Sequence, residues 1–379
     1  MNAPEAAREV KGTSTVRELY MALELGDAKW LVYASDRVRA PSHYTVAAGD
    51  MLGLSKAVDK AKARCGLAGE VVVHCCYEAG RDGFWLHRWL IGQGIENIVV
   101  DSASIEVNRR RRRAKSDHLD GAKLLTMLLR YHGGERRVWS VVHVPTPEQE
   151  DARRPHRELE RLNREHTAHS NRIRSLLVLN GLRVENSVGG RSWQHWWAGH
   201  RAKLLPGLCA EIEREVVRLA ITETQIKAIK KEQQKQVADE LQPQVAQLAR
   251  LRAIGVTSAW VLSKELYGWR TFRNRREVAS CVGLTPTPYN SGDTQTEQGI
   301  AKAGNKRARW VLVELAWSWL RFQSDSALAK WFNERFAHGG KRLRRIGIVA
   351  LARRLAIALW RYLEYAEIPA GAQLKVSRG

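Results

Sequence analysis

The chain has 379 residues, enough for two or three domains with buried cores. Lys and Arg number 62 against 40 Asp and Glu, a formal charge of +22, in an otherwise globular composition, so the surplus sits on the surface and fits a polyanion such as nucleic acid. The opening MNAPEAAREVKG lacks the apolar core of a secretory signal, and no stretch reaches the roughly 18 apolar residues of a membrane span, which points to a cytoplasmic protein with no membrane partner.

In chain order, residues 1–17 are a polar lead-in. LYMALELGDAKWLVYAS, residues 19–35, reads as a strand, and SHYTVAA as the next one. Residues 51–64 form a short helix. Glu70–Glu78, EVVVHCCYE, is an apolar strand ending in a carboxylate; its adjacent cysteines read as buried thiols in a reducing compartment. The five cysteines have no metal-ligand spacing. Asp82–Gln93 is an amphipathic helix closed by Gly94, IENIVVD is a further strand, and Ser116–Tyr131 is a helix with Ser at its cap. This alternation predicts an α/β domain over residues 15–140.

From residue 146 the character changes. Residues 146–180 and 208–250 are dense in Glu, Arg, Lys, Gln and Leu, which predicts a helical hairpin or coiled-coil arm over 146–250. Residues 185–206 form a Trp-rich loop between its helices. Trp193, Trp196 and Trp197 are suited either to stacking on unpaired bases or to a small core capping the arm, and the core is favoured. Near Leu248 a helix, a turn at Gly255-Val256 and a second helix begin a mainly α domain over 251–335, a pattern able to present backbone amides to a phosphate. Residues 336–379 read as a basic helix and a frayed tail.

Four carboxylates stand out. Asp117 and Asp120 lie three residues apart on one helical face. Alone, such a pair at a helix start is a capping and dipole feature. Glu78, however, ends an apolar strand and Glu24 sits inside one, where a carboxylate is costly unless neutralised. A divalent cation neutralises it, and Mg²⁺ favours a few carboxylates with phosphate oxygens and water. First strand, later strand end, then helix is the order in which ribonuclease-H-like folds assemble an acidic site.

The pieces Leu23-Glu24-Leu25-Gly26, Tyr77-Glu78-Ala79-Gly80, Lys115 to Leu124, Gly283-Leu284-Thr285-Pro286, Ser291-Gly292 and Ile300 to Asn305 with Arg309 follow one another in an order that resembles the DEDD transposases of the insertion-sequence one-ten family, the bridge-RNA-guided recombinases. The resemblance spans roughly residues 20–330. It implies a RuvC-like first domain that binds Mg²⁺ through Glu24, Glu78, Asp117 and Asp120. The family usually has Asp at the first of these positions; here Glu24 is one methylene longer.

The resemblance also assigns Ser291, which by composition alone is a turn residue, as the nucleophile that attacks a DNA phosphorus. The covalent phosphoserine it implies conserves bond energy for strand exchange between donor and target DNA, directed by a non-coding bridge RNA in a dimer or tetramer associated with the nucleoid. Lys302, Lys306, Arg307 and Arg309 are candidates for phosphate contacts. So are the consecutive Arg109, Arg110, Arg111, Arg112 and Arg113, at a density that cannot all face inward. Two rival readings use the same residues. In one, a Mg²⁺-dependent junction- or structure-specific nuclease activates water and Ser291 is a turn. In the other, Glu24 has disabled the chemistry and a nucleic-acid-binding scaffold is left.

Overall fold

The computed structural model describes residues 17–106, 117–291 and 294–375. The chain divides into two compact units, Met1–Val144 and Pro145–Gly379.

The first unit is a five-stranded sheet between helices. Its elements are β1 (Arg17–Leu25), β2 (Lys29–Ser35), β3 (Ser42–Ala47), α1 (Met51–Arg64), β4 (Val71–Glu78), α2 (Trp85–Gly92), β5 (Ile95–Val100) and α3 (Asp117–His132). The strand order is β3-β2-β1-β4-β5; β2 and β3 run antiparallel to their neighbours, while β1, β4 and β5 are parallel.

Residues 19–35, expected as one strand, are a hairpin. Gly26 N–H donates to Lys29 O at 3.1 Å, and a Cβ on Gly26 would stand 2.7 Å from that oxygen, so only glycine makes this turn without displacement. The apolar run hid the turn because the central strands are buried on both faces and show little alternation. Leu19, Met21 and Leu23 of β1 pack with α1 and α2; Tyr20 and Ala22 pack with α3. Full burial of each such leucine stabilises by about 1.5–3 kcal/mol. Cys75 and Cys76 fall on opposite faces, and burial pushes both thiols well above their usual pKa, so neither is a nucleophile at neutral pH.

The second unit opens with α4 (Pro147–Asp151), whose Thr146–Gln149 capping box fixes its start, and continues through α5 (Arg154–Leu179), α6 (Arg191–His200) and α7 (Pro206–Ala238). α5 and α7 form an antiparallel hairpin. His169 meets Glu215 at 2.6 Å, Arg172 meets Glu211 at 2.7 Å and His166 meets Glu223 at 3.2 Å, over a seam of Leu159, Leu162, Ile173, Leu177, Ile212 and Leu219. The expected Trp-rich loop contains a helix instead. Trp193, Trp196 and Trp197 stand at helical spacing on α6, and Trp193, 2% exposed, stacks on both others at 5.5 Å. The small-core reading of these rings is the one the structure bears out.

The rest of the unit comprises α8 (Pro243–Ala249), α9 (Val256–Leu262), a π turn (Ser263–Tyr267), α10 (Arg275–Cys281), a hairpin of β6 (Pro286–Ser291) and β7 (Thr294–Ile300), α11 (Lys306–Phe322), α12 (Ala327–Phe336) and α13 (Lys341–Tyr365). As far as Lys375, the last described residue, the tail expected to fray is packed instead. α13 buries Ile348, Leu351, Leu355 and Leu359 in the largest core, against Leu248, Leu312 and Trp319. Leu374 then bridges to Leu251, and Lys375 Nζ donates to Ala249 O at 2.6 Å and Ile254 O at 2.7 Å. Those bonds satisfy the last carbonyl of α8 and one in the turn before α9, a pairing that local sequence does not display. Among the described residues no helix is long and apolar enough to cross a membrane.

Candidate active site

β1 and β4 are parallel neighbours in which Leu23 pairs with Tyr77, so Glu24 and Glu78 come next, side by side toward the carboxyl ends of the two strands. Their even-numbered predecessors Ala22 and Cys76 belong to the core under α3, and strand alternation therefore gives Glu24 and Glu78 to the same face. Glu24 is half-buried and Glu78 exposed.

α3 crosses that face in the opposite direction to β1. At its end, the His132 ring lies 5.5 Å from Tyr20 and 4.1 Å from His74, residues that pair with each other two positions before Ala22 and Cys76. Nearer its start, Gly121 presses on the Tyr33 ring, and Tyr33 pairs with Ala22. A Cβ at Gly121 would clash with that ring, so this glycine sets how closely α3 approaches the sheet. The helix therefore starts toward the edge where Glu24 and Glu78 stand, and half-buried Asp120 lies in that first turn. The side chain of Asp117 and the whole of Arg109 to Arg113 lie outside the described residues. Among the described residues no three of His, Cys, Asp and Glu are grouped closely enough to hold a metal ion. Asp27, in the β1–β2 turn, is exposed and ion-paired with Arg81.

Ser291 ends β6 and pairs with Thr294 at the tip of the second unit's hairpin. The hairpin's base is fixed by two backbone crossings. Gly283 and Gly304 both have positive φ, 65° and 82°, and a Cβ on either would run into backbone, of Ala303 and Cys281 respectively. Lys302 N–H donates to Gly283 O at 3.1 Å and Asn305 N–H to Cys281 O at 2.8 Å, which ties the strand entering the hairpin to the one leaving it. Lys302 and Lys306 are exposed at this exit. Arg307 and Arg309 have internal partners: Arg307 Nε donates to Glu160 at 2.6 Å, and Arg309 donates to Val282 O at 2.9 Å. Burial lowers the pKa of Arg309.

A buried ionic cluster that sequence reading passed over anchors this region. Glu265, 1% exposed, lies in the π turn, a local widening of helical geometry often found at functional sites. It accepts from His156 Nε2 at 2.8 Å, from Arg157 Nε at 2.7 Å and NH2 at 3.0 Å, and from Asn305 Nδ2 at 2.8 Å. Asn305 in turn caps α11 through Oδ1, accepting from Arg307 N and Ala308 N. Burial alone would raise the pKa of Glu265. The bonds from His156, Arg157 and Asn305, with the charge of Arg157, outweigh it and hold the carboxyl well below the usual range. The one signal in the sequence was a glutamate embedded in the apolar run AWVLSKELYGW.

Comparison with known proteins bears on both units. Residues 245–332, which include Glu265, Ser291 and Asn305, match the family described as "Transposase IS116/IS110/IS902 family". The Sinorhizobium fredii protein named "Putative transposase y4rJ" is 40% identical over 94% of this chain and 94% of its own length. The chain belongs to the IS116/IS110/IS902 transposase family. A Yersinia enterocolitica member, the "Transposase for insertion sequence element IS1328", is 30% identical over 36% of this transposase and 40% of its own length. In this transposase the family match coincides with the hairpin, its glycine crossings and the capped start of α11, whereas the acids of β1, β4 and α3 lie outside the matched residues.

Proposed function

We propose that this chain transposes DNA by cutting donor and target strands and rejoining them through a covalent phosphoserine at Ser291. In this reading Mg²⁺ binds Glu24, Glu78, Asp117 and Asp120, and a non-coding bridge RNA selects the sites by base pairing. The observation that carries the reading is the pairing of Glu24 and Glu78 at adjacent parallel strand ends, on the face that α3 crosses and toward the edge where α3 begins. A mixed sheet with β1 at its centre agrees with a RuvC-like first domain.

The donor set fits the ion, being all carboxylate oxygen with a half-buried member on each of two elements. When bound, the ion supplies charge stabilisation at the phosphoryl oxygens. The protein's residues do the rest. The Ser291 oxygen bonds to phosphorus as the bond from phosphorus to one sugar oxygen breaks. The serine proton passes to a base or water, and the released sugar hydroxyl is protonated. Attack by a hydroxyl of the exchanging strand reverses the step, reseals the backbone and frees the serine, so no nucleotide is hydrolysed. Lys302 and Lys306, exposed at the hairpin exit, and the Arg109–Arg113 run supply phosphate contacts. The α5–α7 hairpin is the element suited to holding a dimer or tetramer together.

The test is covalent trapping. The protein is incubated with Mg²⁺, its flanking non-coding RNA and labelled donor and target DNA, then run on denaturing gels beside Ser291→Ala and Asp117→Asn. The expected result is label that stays on wild-type protein and is lost in both variants. Nicked DNA without an adduct would replace this reading with that of a metal-dependent nuclease. Binding with neither product would replace it with that of a scaffold.

A further inference from the structure

We propose that a basic groove along α13 binds the sugar–phosphate backbone of duplex DNA. The groove, about 1450 Å³, lies wholly within the second unit, between α13, α12, the start of α10 and the base of the β6–β7 hairpin. Eight cationic side chains line it against one carboxylate, Glu367, which is already paired with Arg361 at 3.7 Å.

The charge is laid out by helical geometry. Arg342, Arg345, Arg353 and Arg361 fall on one face of α13, interleaved with Val349 and Ile357, while the opposite face carries Leu351, Leu355 and Leu359 into the core. Arg275 and Arg276 line the groove from α10. Burial first, and then the like charges of Arg335 and of Arg353, push the pKa of Arg354 down. A polyanion would relieve that repulsion.

The dimensions and the lining select the partner. From Arg342 to Arg361 the helix rises about 28 Å at ~1.5 Å per residue. Over that length one DNA strand presents about eight phosphates at ~3.4 Å each, and Arg342, Arg345, Arg353, Arg354 and Arg361 of the groove stand along it, with Arg275 and Arg276 facing them from α10. Binders of single strands add aromatic platforms on which bases stack. Trp331 is the aromatic ring that lines this groove, and Arg354 already covers it at 3.9 Å. The surface is therefore built for backbone and not for bases. Leu284, Pro286, Gly299 and Ile300 form the groove's wall at the hairpin base, and Ser291 lies five residues beyond Pro286, about 17 Å along an extended strand. A duplex in the groove would thus be held within one strand length of the proposed nucleophile.

The inference takes its partner, DNA, from the proposed function but needs none of the chemistry, so it is tested without Mg²⁺ in the Ser291→Ala background. The full chain is titrated against a labelled 30-base-pair duplex of mixed sequence, with fluorescence anisotropy read between 50 and 200 mM salt. The variant Arg342→Gln/Arg345→Gln/Arg353→Gln is compared with Arg344→Gln, an exposed position on α13 outside the groove. The triple variant is expected to bind about tenfold or more weakly, with a salt slope lower by about 2–3, roughly one per lost phosphate contact. Arg344→Gln is expected to change neither. In the unsubstituted groove, bound duplex is expected to protect Lys341 from an amine-acylating reagent, read by mass spectrometry; this does not depend on any groove variant folding. Equal binding by the triple variant, a loss confined to single-stranded RNA, or an unprotected Lys341 would each overturn the proposal. Loss of the covalent adduct in the trapping assay would leave it standing.

Discussion

Replacing Glu265 by Gln keeps the shape of the side chain and removes its charge. Its two oxygens share four donors: His156 Nε2 and Arg157 Nε on one, Arg157 NH2 and Asn305 Nδ2 on the other. Whichever oxygen becomes an amide nitrogen, an Arg157 N–H is left facing an N–H. Bonds to a charged acceptor contribute about 1.5–3 kcal/mol each. Removing one partner of a buried ion pair costs about 3–5 kcal/mol, but Arg157 is 42% exposed and can turn to water. A loss of about 2 kcal/mol for Glu265→Gln follows, and about 3–4 kcal/mol for Glu265→Ala, which also leaves a cavity and removes the acceptor of all four donors.

The charge has a pH signature. The carboxyl is depressed in the folded chain, so its contribution is fully present above the ordinary value of 4.5 and lost as pH falls below it. Each pH unit below 4.5 removes roughly 1.4 kcal/mol from wild type until the folded pKa is reached, and removes nothing at this position from Glu265→Gln. Urea unfolding of the full chain, followed by circular dichroism at pH 7 and pH 3.5, measures both. A deficit for Glu265→Gln under about 0.5 kcal/mol at pH 7, or one that does not narrow at pH 3.5, would mean that the charge of Glu265 does not stabilise the fold. Because Asn305 depends on this carboxylate and caps α11 just beyond the hairpin, the adduct yield in the trapping assay is expected to fall in the same variant.

Three further outcomes are expected. Gly121→Ala drives a Cβ into buried Tyr33 and costs about 2–3 kcal/mol; the cost shrinks when Tyr33→Ala is combined with it, which a double-mutant cycle in urea checks. Ala366 closes α13 with φ of 55°, a conformation that suits glycine, so Ala366→Gly raises stability by about 0.5–1 kcal/mol, and an unchanged thermal midpoint would exclude strain at that cap. His132 is held below its ordinary pKa of 6.5 by burial and then by the charges of His74 and Arg136, so protonating it opposes folding. Stability accordingly falls as pH drops from 7 to 5, and His132→Phe flattens this limb of the thermal midpoint against pH.

What the sequence disclosed, and what it hid, divides by the range of the interaction. Cap residues, helical periodicity and apolar runs act over a few neighbours, and they marked α1, α3 and the α5–α7 hairpin. Gly26 defeated the first strand because a strand buried on both faces gives no alternation to interrupt. Lys375 and Leu374 defeated the tail, since their partners lie more than a hundred residues earlier and nothing local announces them. Glu265 defeated the site for the same reason. Its partners come from α5 and from the residue before α11, and only the fold brings together a histidine, an arginine and an asparagine to justify a carboxylate in an apolar turn. Glu24 and Glu78 belong to the opposite case. They stood out because a carboxylate inside or at the end of an apolar strand is conspicuous locally, and the parallel register of β1 and β4 sets the two side by side at one edge. Two such carboxylates in register, on the face that α3 crosses, are where the proposed cation would be held, so the proposed chemistry rests on the topology of the sheet.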